Sequence, residues 1–570
     1  MRSAQGLIPA VIVAAMMIGC AGPSGSPGGP SAQSGSAPSG PKVVNAVMRG
    51  NPYTLSQAIN SAGSGSVPGV DELQELIHAG LAVENDRRAL RPRLAEELPS
   101  IENQLWTVQP DGRMETTWHL RKGVLWHDGQ PFTSDDLAFS VRVAQDPQVG
   151  LAGLNAFRLI DRVDTPDPLT FTVAWSKPYI KADTLFTRTA GSTVLPMPRH
   201  LLEGAYNDDP AGFTQLSFWT HDYVGLGPFR VHEFVENAHM LLDANDRYFL
   251  GRPKIDQIDI SFMPDPSTIA ANLLAGAVDL TLGGRFSLEW GVQIRDQWTD
   301  GHMEAPVGTT WVALFPQLLN PTPAVLSEVT MRRALLLAIN RKEMSDTIQQ
   351  GLSPVADSLI SPSDPEYGAV ENSIVRYDFD PRTAAQRIEE LGYAKRPDGV
   401  YADTSGTPLK IEIRTRQGDD LQEKTLFGVT EYWKQLGIAA DPVTFPPQRA
   451  PDREYRATRP AFEVVRQPSG ADAVTRYYGR DTPVPGNDFR GLNRTRYQNP
   501  ELDALIDQFV TTIPKEPRNA ALAEIIHHMT SNVVVLGIYF ALDPTMISNK
   551  LVNVAGLNPT WNADQWDLKV

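Results

Sequence analysis

The one cysteine in this 570-residue chain, Cys20, stands at the junction of two segments that cannot contribute to a folded core. Before it runs an apolar stretch from Leu7 to Ile18, interrupted only by Pro9. After it, every residue from Ala21 to Pro41 except Gln33 is Ala, Gly, Pro or Ser. Such a tract cannot offset its chain entropy by burying apolar area, so it is expected to be a flexible tether. The apolar stretch has twelve residues. A helix needs about 20 to cross a hydrocarbon core of about 30 Å. With Arg2 ahead of it, the stretch has the form of a signal-peptide h-region. The folded body is therefore expected to begin near residue 42.

Met17-Ile18-Gly19-Cys20 resembles the bacterial lipobox, in which a signal peptidase cuts before the cysteine and the thiol is diacylated. The competing reading, a buried free cysteine, fails because a cysteine ending an h-region has no core to enter. Residues 1–19 are thus expected to be a lipoprotein signal peptide, and 20–41 the lipidated Cys20 with its tether. No other apolar stretch has the length of a membrane span. A single cysteine excludes a disulfide framework and a zinc site built mainly from thiolates. With 51 basic and 67 acidic residues the formal charge is −16, which opposes the basic stripe of a nucleic-acid binder. The 41% apolar content is ample for cores, and the length suggests roughly two to four domains.

Beyond the tether, strand and helix patterns alternate. Thr116 to Trp126 is expected to form a hairpin, with Trp118 and Leu120 alternating, a turn at Arg121-Lys122-Gly123, and Val124 and Trp126 resuming. His127-Asp128-Gly129-Gln130-Pro131 is a turn. Thr133 and Asp136 then read as a capping box opening a helix with Leu137, Val141 and Ala144 inward. Asn340 with Glu343, Asp380-Pro381 and Asn499-Pro500 mark three further helix starts. Short β-rich runs, Leu409 to Ile413 and Val533 to Phe540, lie between them. Strands and helices alternating over this length mean an α/β chain with helix-covered sheets.

The chain offers little catalytic chemistry. It has no H-E-x-x-H, G-x-S-x-G, Walker or G-x-G-x-x-G pattern. His527 and His528 are adjacent, so they face different sides of a helix and fit a solvated surface better than a metal clamp. His127 beside Asp128 reads as a base with its orienter or, more simply, as two turn formers. Asp135-Asp136 and Asp419-Asp420 have cap and solvated-loop explanations. The reading is not an enzyme, and no cofactor or metal site is expected.

The stretch from Thr117 to Asp136, TWHLRKGVLWHDGQPFTSDD, closely resembles the signature of family 5 solute-binding proteins, the extracytoplasmic receptors of ABC importers for peptides, nickel and other solutes. More matches follow in the family's order. They are Gly225-Leu226-Gly227-Pro228-Phe229, Asn245-Asp246-Arg247-Tyr248-Phe249, Pro253 with Ile255-Asp256, Gly276-Ala277-Val278-Asp279, and Met331-Arg332-Arg333-Ala334-Leu335 with Ala338-Ile339-Asn340-Arg341. Each is weak alone; together and in order they carry the resemblance across nearly the whole chain after the tether.

The resemblance implies an α/β, two-lobed periplasmic-binding-protein (Venus-flytrap) fold of type II, cluster C. Lobe I would be residues 42–75, 201–307 and 544–570, enlarged by an extra subdomain at 76–200. Lobe II would be 308–543, and ligand would lie between the lobes. In peptide-binding members a strand of the form F-D-x-x-R is followed six residues on by an aspartate that holds the peptide's α-ammonium. Phe462-Glu463-Val464-Val465-Arg466 with Asp472 matches that spacing. Asp472 is therefore the candidate anchor and Arg466 a candidate cleft charge; alternatively they pair with each other or sit in a solvated loop. Trp311, Tyr477 and Arg285 are further ligand-binding candidates. The chain departs from the family at Ser469, where tryptophan is common, at Asp472-Ala473-Val474-Thr475, and at Asn51-Pro52-Tyr53-Thr54-Leu55-Ser56-Gln57.

The expected function is that of a lipid-anchored, monomeric receptor, outside the cytoplasm, that captures di- or oligopeptides and hands them to ABC permease subunits. Two alternatives stand beside it. One keeps the fold but binds a non-peptide solute or acts as a regulatory or scaffold lipoprotein. The other is a secreted hydrolase, for which the sequence shows no nucleophile and base.

Overall fold

The computed structural model describes residues 40–60, 67–151, 154, 156–188, 194–283, 287–449 and 452–569. Cys20, the h-region and nearly all of the tether lie outside these residues, as does Arg285.

Among the described residues three larger sheets, of seven, five and four strands, carry the fold. The seven-stranded sheet runs Gly301–Glu304, Thr545–Ser548, Leu280–Thr281, Val43–Met48, Gln257–Phe262, His239–Ala244, Phe229–Val235. Val43–Met48 pairs in parallel on both sides, Val44 with Ile258 and Ala46 with Leu280. Because strand side chains alternate, Val44, Ala46 and Met48 enter one core, while Val47 enters a smaller one with Ile269, Leu273 and Trp298.

The five-stranded sheet runs Ala439–Phe445, Lys410–Arg416, Phe462–Pro468, Val307–Pro316, Leu536–Leu542. Its faces bury separate cores. Val312 and Leu314 pack with Trp433 and Tyr401, whereas Trp311, Ala313 and Phe315 pack with helices Pro500–Thr511 and Lys515–Ser531. The chain crosses between the two large sheets twice, from Glu304 to Val307 and from Leu542 to Thr545. The crossings run side by side, with the Asp543 N–H donating to the Pro306 carbonyl at 3.1 Å.

The four-stranded sheet corrects the expected hairpin. Met114–His119 pairs with Trp106–Val108 and with Thr170–Trp175, placing Trp118 opposite Phe171, and not with the segment after Gly123. Past His119 the chain is drawn aside, because Leu120 N–H donates to Leu169 O and Arg121 N–H to Leu94 O, both at 2.8 Å. Alternation identifies a strand but not its partner. Val124 to Phe132 closes a tight loop of its own, with the Trp126 N–H on Gln130 O at 2.8 Å and Gly129 at φ 95°.

That loop is locked to the rest of the fold by buried polar groups. Asp136, at the third position of helix Ser134–Gln145, accepts from the Thr133 N–H and the Arg199 N–H, each at 2.9 Å. Its burial raises the carboxyl's pKa. Gly225 and Gly227 pass so close to the end of helix Val70–Ile77 that a Cβ would lie 2.0 Å from Ile77 O and 2.3 Å from His78 N, respectively. Two histidines hold this crossing. Gly225 N–H donates to His127 Nδ1 and Leu226 N–H to His78 Nδ1, both at 3.2 Å. With Nδ1 accepting, the protons sit on Nε2, which donates to Gly227 O at 3.1 Å from His127 and to Pro196 O at 2.8 Å from His78. Desolvation pushes the His127 pKa down to about 4 and that of His78 to about 3. His127 is thus a half-buried brace as well as a turn residue.

The remaining helix starts follow the expected caps. Asn340 accepts from Glu343 N–H, Asp380 from Arg382 and Thr383 N–H, and Asn499 from Leu502 N–H. The Val533 run begins as a turn, with Val533 at φ 45°, and only Leu536–Leu542 is strand. His528 is buried rather than solvated, with its ring 3.2 Å from the Tyr497 hydroxyl.

Candidate functional site

Strand Phe462–Pro468 runs antiparallel to the crossing strand Val307–Pro316, pairing Arg466 with Val312 and Pro468 with Thr310. Ser469 continues the ladder with its N–H on Thr309 O at 2.9 Å. The chain then turns at Gly470, whose φ of 90° suits glycine, and enters the 3-10 helix Ala471–Tyr477. This turn delivers Asp472 to a seam where the two large bodies meet.

At the seam the Asp472 carboxylate holds the Lys181 ammonium, Oδ2 to Nζ, at 2.7 Å. Lys181 comes from the segment that follows the four-stranded sheet. Its neighbour Ile180 packs against the core of the first body and against the Trp311 core of the second, which fixes where Lys181 leaves the chain. Desolvation opposes the Lys181 charge, but Asp472, Asp183 and Glu366 outweigh it and raise the ammonium's pKa. Burial pushes the Asp183 carboxyl up to about 6, and it also raises those of Glu366 and Asp364.

A second pair lies beside the first: a Cβ on Gly470 would sit 3.8 Å from Asp364 Oδ2. Arg88 Nη1 binds Asp364 Oδ1, while Arg88 Nη2 donates to the crossing-strand carbonyls Val307 O at 2.8 Å and Gly308 O at 2.7 Å. Arg88 has φ 58° at the tip of the hairpin joining Ala82–Glu84 to Leu90–Pro92. Asn85 Oδ1 stabilises that tip by accepting from Arg87 and Ala89 N–H groups at 2.9 Å. A third bridge joins Lys424 to Glu289.

The sequence-based candidates separate. Arg466 does not pair with Asp472; its Nε donates to Thr310 Oγ1 at 2.8 Å and its Nη2 lies 3.2 Å from Asp543 Oδ1, bracing both crossings. Trp311 is 2% exposed and packs edge-on to Phe315 beneath the sheet, and Tyr477 is 4% exposed in the same core. Burial raises the Tyr477 hydroxyl's pKa. Neither aromatic stands on an open cleft wall in this conformation. Nine of the eleven tryptophans are buried, so indole platforms do not define the seam. Lys181, Arg88 and Asp364 were not among the candidates. They are hundreds of positions from their partners, and no local spacing marks them.

A cavity of about 30 Å³ lies within the first body, lined by Glu75, His78, Arg93, Arg188, Tyr248 and Asp564; that is room for water rather than a solute. Among the described residues no three of His, Cys, Asp and Glu gather as a metal-holding group, and no helix is long and apolar enough to cross a membrane.

Residues 89–494 match the family model of bacterial extracellular solute-binding proteins, family 5. The oligopeptide-binding protein AppA of Bacillus subtilis is 22% identical over 369 residues, covering 64% of this chain and 63% of that protein. The chain thus aligns with less than two thirds of that relative. The heme-binding protein A of Haemophilus influenzae is 25% identical over 455 residues, 75% of each chain. The crystal structure of NikA from Brucella suis in complex with Fe(III)-EDTA superposes with a TM-score of 0.73 at 18% identity, covering 92% of this chain and all of that one. That likeness shows the mixed α/β two-lobed fold. The family comprises binding proteins rather than enzymes, and the ligands named for its members differ. The chain belongs to the bacterial extracellular solute-binding proteins, family 5.

Proposed function

We propose that this protein is the extracytoplasmic receptor of an ABC importer, that it takes a di- or oligopeptide between its lobes, and that it delivers the peptide to the membrane permease. Cys20 is the lipid anchor and residues 21–41 the tether. Lobe I comprises 42–75, 201–307 and 544–570 with its subdomain at 76–200, and lobe II comprises 308–543. Asp472 is the anchor for the peptide's α-ammonium, and Arg466 holds the crossings at the edge of the cleft.

The observation that carries this reading is that the Asp472 carboxylate, where the lobes meet, already holds an ammonium at 2.7 Å. A carboxylate that binds a primary ammonium in a charge-assisted contact suits the amino end of a peptide. The named relatives supply the competing ligands, heme and a metal chelate.

The test is a thermal-shift screen of di- to pentapeptides on protein stripped of bound ligand by unfolding and refolding. A ligand present at 100 times its Kd stabilises the folded form by about 2.7 kcal/mol, so for a body of this size a true ligand raises Tm by about 2–3 °C. No shift with any peptide, alongside a shift with heme or a metal chelate, would contradict the peptide reading.

A further inference from the structure

We infer that Lys181 is an internal occupant of the ligand anchor: its ammonium fills the Asp472 carboxylate in the empty receptor, and an incoming peptide ammonium must displace it. This inference rests on Asp472 being the anchor. It makes Lys181 the residue that sets how strongly the receptor prefers free amines over other solutes.

The geometry has three parts. First, the Lys181 ammonium is the same chemical group as the peptide terminus and lies within hydrogen-bond reach of the same carboxylate, at 2.7 Å. Second, the backbone at this point is not free to carry the ammonium away, because Ile180 is packed against the cores of both bodies. Displacement therefore means rotation of the long lysine side chain about a fixed root. Third, carboxylates other than Asp472 act on the lysine's charge. Asp183 and Glu366 both act electrostatically on Lys181, so leaving Asp472 does not strand a charge in the seam.

The neighbouring Arg88–Asp364 pair behaves differently. Its side chains are 9% and 3% exposed, and its arginine is also committed to two crossing-strand carbonyls. The Lys181 and Asp472 side chains are 38% and 48% exposed. Exposed pairs of this kind are weak, so the lysine yields to a ligand while the arginine stays. The seam thus combines a fixed joint with an exchangeable one. The receptor closes on its own lysine when empty and trades it for the ligand when loaded.

The experiment measures affinity by calorimetry for trialanine and for N-acetyl-trialanine, on the wild type, Lys181→Met, Lys181→Gln and Lys181→Met combined with Asp472→Asn. Removing the competitor should tighten trialanine binding about two- to five-fold in both single variants, the size expected of an exposed pair. It should leave the acetylated peptide unchanged, and the gain should vanish in the double variant. An equal gain for both peptides, no gain, or a loss overturns the role of Lys181 while leaving the peptide reading intact. Trialanine binding to none of the proteins overturns the peptide reading and this inference with it.

Discussion

At the scale of single residues, two ion pairs of the same formal kind carry different free energies because water reaches one and not the other. Arg88 and Asp364 are nearly sealed, so replacing Arg88 by Ala leaves a buried carboxylate without its partner and frees two crossing-strand carbonyls. Removal of one partner from such a pair costs about 3–5 kcal/mol. Arg88→Ala is therefore expected to lower the urea midpoint markedly. Asp472→Asn, whose pair is half exposed, is expected to change stability by less than about 1 kcal/mol. Equal losses for the two variants would show that the Arg88 joint is not a buried pair in solution. The backbone turn at Arg88 explains why the sequence hid it. What makes it important is a left-handed turn and two carbonyls reached through the fold, neither of which leaves a local spacing.

At the scale of elements, the signature stretch owes its composition to packing. Trp118 and Trp126 are buried, Asp136 gathers backbone donors from two places, and neither Gly225 nor Gly227 has room for a side chain. Gly227→Ala sets a Cβ against fixed backbone and is expected to cost about 1–3 kcal/mol or more, read as a fall in Tm. The neutral histidines at that crossing make stability depend on pH. Their folded pKa values lie below the ordinary 6.5, so the unfolded chain binds more protons once pH falls under that value. Their contribution is complete above about pH 7 and is lost as pH drops through 6.5 toward 4 for His127 and toward 3 for His78, at about 1.4 kcal/mol per unit of depression. Asp183, raised to about 6, acts in the opposite direction over part of that range. His127→Gln is expected to flatten the decline in urea-derived stability between pH 6.5 and 4; an unchanged slope would remove the histidine from the account. Helix caps such as Asn340, Asp380 and Asn499 were legible in the sequence because cap chemistry is local. The hairpin was not, since Met114–His119 takes its partners from both directions along the chain, and strand alternation is silent about pairing.

At the scale of the whole molecule, ordered family motifs made the two-lobed architecture readable long before any single strand could be paired. The site was readable only in part. The spacing from Arg466 to Asp472 pointed to the seam, yet the structure gives Arg466 to the crossings and Asp472 to Lys181, and places Trp311 and Tyr477 in a core. Those differences arise from which face of a strand a residue takes and from which lobe lies opposite, both products of tertiary assembly. The account's central claim is that a peptide with a free amino end is the cargo. Native mass spectrometry of protein isolated gently from its own host tests this most directly, with the released species identified by fragmentation. The account predicts stoichiometric peptides of a few residues with unmodified amino termini; a stoichiometric tetrapyrrole, metal chelate or other non-peptide species would contradict it.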